Sequence, residues 1–141
     1  MRASEVKTAI VAAVEGATPD QTASGQDVFR NLEVGQRPLE SARERLFSIV
    51  LRSVPTQAHE LFTSDNYSVV WDLQVYYHDA PGIDDRICAD SERINRALEQ
   101  LPTNNADINT VNLTAGSVSE FEGFLSMIIS IEASYRLTAG V

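Results

Sequence analysis

From Tyr67 to His78 hydrophobic residues fall on every second position. Tyr67, Val69, Trp71, Leu73, Val75 and Tyr77 alternate with a set that includes Ser68, Asp72, Gln74 and His78. The same period returns between Phe121 and Thr138, where Leu125, Met127, Ile129, Ile131, Ala133, Tyr135 and Leu137 alternate with Ser126, Ser130, Glu132, Ser134 and Arg136. A period of two predicts strands with one face in a core and the other toward water or a partner. Strands commonly run about five or six residues, so both segments are long. Arg45 to Val54 reads as a further strand, with Phe47, Ile49 and Leu51 on one side, and Pro55 stops it. Ile108 to Thr114 reads as a short strand rich in Thr and Asn, and AGSVSE as the turn into the last strand.

Two segments carry the helical period instead. Val6, Ile10, Ala13 and Val14 share one helical face over residues 4–15, with Ser4 as a candidate N-cap and Gly16 as the stop. After the turn HDAPGIDD, the residues Ile87, Ile94, Leu98 and Leu101 form a single stripe. Asp84 and Asp85 supply its N-cap and first-turn acidity, and Pro102 ends it. Arg86–Asp90 and Glu92–Arg96 are spaced for i, i+4 pairs off the stripe. The order is α-β-β-α-β-β. It predicts one α+β domain over 1–141, with a mostly antiparallel four-stranded sheet and the helices packed on one face.

A connector at 17–43 interrupts this pattern. Pro19, Gly25, Gly35 and Pro38 break it, and a structureless stretch this long is either mobile or a binding element. Within it Val28, Phe29, Leu32 and Val34 form an apolar island. The island either tucks back onto the core or docks on a neighbouring subunit or partner.

Composition changes the picture in three ways. A chain of 141 residues can bury roughly two-thirds of its unfolded surface and needs no metal or disulfide staple. The single cysteine, Cys88, excludes an intrachain disulfide, and its place in a helix predicts a buried, inert thiol. The net charge of −9, from 20 acidic and 11 basic residues, argues against a surface that clamps nucleic acid, although DNA could pass such a wall without sticking. The N-terminal apolar stretch is interrupted by Glu5, Lys7 and Glu15 and is too short to span a bilayer, so a soluble, non-secreted protein with no membrane partner is expected.

Candidate chemistry is sparse. No phosphate-binding loop, HExxH or GxSxG occurs. His78 and Asp79 with Asp84, Asp85 and Asp90 form the best cluster, and two or three carboxylates with an imidazole could hold a divalent metal. Each acid has a rival explanation, however: turn chemistry at Asp79 before Pro81-Gly82, and helix capping at Asp84 and Asp85. His59 has no partner at a recognisable spacing. Tyr76 and Tyr77 could stack on bases, but no basic residues interleave with them, and Tyr77 and Trp71 belong to the apolar face. The expectation is therefore no catalytic residue, no metal and no cofactor.

A small acidic chain with this element order resembles the tail terminator (tail-completion) proteins of long-tailed bacteriophages. The resemblance runs through Glu44-Arg45-Leu46-Phe47, Val70-Trp71-Asp72-Leu73, the helix from Asp84-Asp85-Arg86-Ile87 to Leu98 and Leu101, and the ending Ile131-Glu132-Ala133-Ser134-Tyr135-Arg136. The connector is longer than that pattern expects, which keeps a related neck or head–tail connector role open. What the resemblance implies is a structural virion protein and no enzyme. Such a protein forms a ring, usually hexameric, on the head-proximal end of the tail tube. Its partners would be further copies of itself, the tube protein and a neck or head–tail connector protein, with DNA passing through the lumen. It would reside in the virion, and in host cytoplasm during assembly. The alternative is a ligand-binding or enzymatic α+β domain of the ferredoxin-like, dimeric-barrel kind, with Tyr76 or His78 at the mouth of a pocket.

Overall fold

The two alternating segments become neighbouring central strands. The computed structural model describes residues 1–19, 28–32, 45–57, 65–121 and 123–137. In chain order these form helix α1 (Ala3–Gly16), strands β1 (Arg30–Asn31), β2 (Leu46–Gln57) and β3 (Asn66–His78), helices α2 (Ile83–Glu99) and α3 (Leu101–Asn104), and strands β4 (Ile108–Phe121) and β5 (Phe124–Arg136). The architecture is α+β. One sheet runs in the order β1-β2-β3-β5-β4. The pairs β2–β3, β3–β5 and β4–β5 are antiparallel, and β1 lies parallel to β2 through Arg30↔Leu46 and Asn31↔Phe47. The expected four-stranded sheet is thus corrected to five strands and mixed, because the connector itself lends a two-residue strand to β2.

Trp71, opposite Leu51 and Ile131, marks the side of the sheet that forms the core. Val69, Leu73, Val75 and Tyr77 of β3 are buried there with Met127, Ile129, Ile131 and Tyr135 of β5. The same cluster takes in Val6, Ile10 and Val14 of α1 and Ile83, Ile87, Ile94 and Leu98 of α2. Burial, and then the neighbouring Tyr67, raises the Tyr135 phenol above its ordinary pKa. The α1 cap is Arg2 rather than Ser4, and the Glu5 carboxylate accepts the Arg2 backbone N–H at 3.2 Å. Gly82 caps α2 at φ 80°, a left-handed conformation that costs glycine nothing, leaving Asp84 and Asp85 in the first turn.

Two boundary expectations are corrected. Pro55 does not stop β2, which continues to Gln57 through register shifts between Leu51 and Ser53 and between Ser53 and Thr56. Proline is tolerated at bulges and on strands whose outer side is unpaired. AGSVSE is strand rather than turn, since β4 reaches Phe121 and the chain reverses beside Gly123. A register shift between Ala115 and Val118 gives β4 an extra residue. There Gly116 lies so close to β5 that a Cβ would sit 1.7 Å from the Ile128 carbonyl oxygen. Gly116→Ala is therefore expected to cost about 1–3 kcal/mol, since strands β4 and β5 must part to admit the methyl. A shift of the urea midpoint at constant m-value would measure it, and an unshifted midpoint would contradict the close approach.

Candidate assembly surface

Period two sends Asp72, Gln74 and Tyr76 of β3 and Ser126, Ile128 and Ser130 of β5 to the side away from Trp71. These side chains bond to one another across strands. Ser130 Oγ donates to Asp72 Oδ1 at 2.6 Å, and Arg52 Nη1 donates to Asp72 Oδ2 at 3.2 Å. Gln74 Nε2 donates to Ser126 Oγ at 3.1 Å. The hydroxyls of Thr110 and Ser134 lie 2.8 Å apart, and those of Ser48 and Tyr76 3.5 Å apart. Hydroxyl, amide, carboxylate and guanidinium groups thus pair across neighbouring strands on this face. The Arg52–Asp72 pair is partly exposed and adds little stability. The resulting face can lie against another surface or line a passage.

A second constellation sits at the root of the connector, and the sequence pattern missed it. Arg45, Asp90 and Tyr77 are all buried in the core. Arg45 donates from Nε to Asp90 Oδ2 at 2.7 Å and from Nη2 to Oδ1 at 3.1 Å, while the Tyr77 hydroxyl donates to Oδ2 at 2.8 Å. The Arg45 backbone is held at φ 63°, an uncommon conformation for a residue with a Cβ. Its N–H donates to the Tyr76 carbonyl and its own carbonyl accepts from Arg30 N–H. The guanidinium carbon lies 6.0 Å from the Phe29 ring centre. One forked pair thereby ties β1, the start of β2 and α2 together. A signal for it existed: Asp90, expected off the stripe as an i, i+4 partner of Arg86, instead falls on it, three residues after Ile87 and four before Ile94, and is buried.

The predicted residues separate. Phe29 is 2 % exposed and belongs to the subunit core, so it takes the tucked-back reading of the apolar island. Val28 is 45 % exposed, and Leu32 is half-buried with its N–H on the Phe47 carbonyl at 2.8 Å. Val34 and His59 lie outside the described residues, as does most of 17–43. Because Phe29 is buried, its replacement by serine would unsettle the subunit itself, and among the described members of the island Val28 is the most exposed.

The candidate metal cluster is dispersed. His78 packs on Phe124 with ring centres 4.7 Å apart, Asp90 turns inward to Arg45, and Asp79, Asp84 and Asp85 are exposed. Asp79, Asp84, Asp85 and Glu120 line a shallow depression of about 480 Å³, but among the described residues no three His, Cys, Asp or Glu side chains converge as metal ligands would. Tyr77 is core, as its face predicts, and Tyr76 is half-buried on the open face. Cys88 corrects the expectation of a buried thiol. It follows Ile87 and is turned off the stripe, so it is exposed at a cleft of about 310 Å³ between α2 and the β4–β5 hairpin. Among the described residues no helix is long and apolar enough to cross a membrane.

No family model and no curated protein matches this chain.

Proposed function

We propose that this chain is a structural virion protein of a tailed phage. Copies form a ring, hexameric in this reading, that caps the head-proximal end of the tail tube, stops its polymerisation and offers the neck a joining surface. The observation that carries this is the sheet: four long antiparallel strands, helices on one side, and an open side on which polar side chains bond to one another across strands. A face of this kind suits repeated contact or a lumen wall. A net charge of −9 lets DNA slide past without being held. The partners are other copies, the tube protein and a neck or head–tail connector protein, and neither catalysis nor a cofactor enters the role.

Purified protein is expected to sediment as a hexamer, alone or on meeting tubes. Added to polymerising tube protein, it is expected to arrest growth and to appear in electron micrographs at one tube end. Tubes that elongate at the same rate with and without it, and carry nothing at their ends, would refute the proposal. A second reading, the ligand-binding α+β domain, has the cleft beside Cys88 in its favour and expects a dimer in the same sedimentation run.

A further inference from the structure

Among the described residues the sheet ends in two open borders. No described strand lies outside β4, and none pairs with β2 beyond Phe47. Unpaired N–H and C=O groups along a strand are a template for another strand. The helix layer also stops short of both borders. Leu51, on the Trp71 side of β2, is 43 % exposed, and Val54, at the bulge across from Val69, is 65 % exposed. At the opposite border Val118 of β4, paired with Met127, is 55 % exposed and sits at the rim of the cleft that α2 leaves over the hairpin.

We propose that β2 of one copy pairs with β4 of the next, seating Leu51 and Val54 at the cleft edged by Ile87, Leu113, Val118 and Met127. This rests on the ring reading above and names the contact that would build it. Strand direction supports it. Strands β2, β3, β5 and β4 alternate along the sheet, so a second β2 placed outside β4 continues the antiparallel alternation with the helices on the same side. Sidedness supports it as well, because Leu51 and Val118 both project toward the helix layer and would meet as cross-strand neighbours. Charge agrees: β2 carries Arg52 and no acid, β4 carries Glu120 and no base, and neither strand holds a lysine of the kind that blunts free edges. Pro55 has no N–H, which confines the pairing to the stretch from Ser48 to Val54. A pairing of β4 with β4 would leave Leu51 and Val54 in water, whereas β2 on β4 satisfies both borders. Since the two edges differ, the contact is head-to-tail and repeats until a ring closes.

The test uses Val54→Lys and Val118→Lys in the full chain. Both sites are exposed, so circular dichroism should be unchanged. In analytical ultracentrifugation, under conditions where the unaltered protein forms rings, each variant alone is expected to be monomeric. Their equimolar mixture at raised concentration is expected to stop at a dimer, because each variant supplies the edge the other lacks. Rings unaltered in mass by either lysine would overturn the edge pairing and leave the ring reading standing. Dimers of Val54→Lys alone, with Val118→Lys monomeric, would replace it with β4-to-β4 pairing. Unaltered protein that stays monomeric at every concentration, with or without tubes, would overturn both. Copies joined through these edges that leave tube growth untouched would uphold the pairing and overturn the tail role.

Discussion

Asp90→Asn is expected to cost about 3–5 kcal/mol of stability, the usual penalty for removing one partner of a buried ion pair. Arg45 and Asp90 are both 0 % exposed, so the substitution leaves a guanidinium in the core with a neutral amide facing it. The fork holds the backbone of Arg45 at φ 63°, so its loss also releases the start of β2 and the β1 contact. Urea unfolding measures the effect. Two further variants separate the causes. Tyr77→Phe removes one donor to Asp90 and keeps the ion pair, for an expected loss of about 1 kcal/mol. Arg45→Met with Asp90→Leu removes both charges together and should recover much of the single-variant loss. A midpoint for Asp90→Asn close to that of the unaltered chain would show that Arg45 reaches water when its partner is neutral.

Trp71→Ala is expected to cost a similar amount, about 3–5 kcal/mol, as a large-to-small change in a packed core. Trp71 is 8 % exposed, lies between Leu51 and Ile131, and carries the Lys7 ammonium 5.6 Å from its ring centre. Its indole N–H is buried with no hydrogen-bond partner among the described residues. Trp71→Phe removes that unpaired donor and keeps an aromatic ring, so its expected loss is smaller, under about 2 kcal/mol. Gln74→Ala, on the open face, supplies the reference: it loses one hydrogen bond to Ser126, worth about 1 kcal/mol. Equal losses for Trp71→Ala and Gln74→Ala would contradict the register of β3.

The alternation in β3 and β5 and the stripe on α2 were legible because each element buries one continuous side. Valines, isoleucines and leucines on a fixed period report that side directly. The α+β class and the order of the long elements follow from those patterns. Cys88 shows how narrow the signal is. Helix membership alone suggested burial, but the position one residue beyond Ile87 is rotated off the apolar stripe, and the thiol is exposed.

The period thus determined, from sequence alone, the core faces of the two central strands and of both long helices. Tertiary structure decided the borders of the sheet. In β4 the extra residue at Gly116 moves the helix-facing positions from Val111 and Leu113 to Val118 and Glu120, so no single period spans the strand. In β2 the bulges after Leu51 do the same and let Pro55 stay within the strand. Whether an extra residue becomes a bulge or a turn depends on the strand beside it, here the Ile128 carbonyl against Gly116. The Arg45–Asp90–Tyr77 cluster was likewise settled by packing. A carboxylate on an apolar stripe is tolerable only when a cation reaches it, and the cation comes from a residue 45 positions away in the chain. Local pattern carries the face a residue belongs to, whereas the partner across the core is set by how the elements meet.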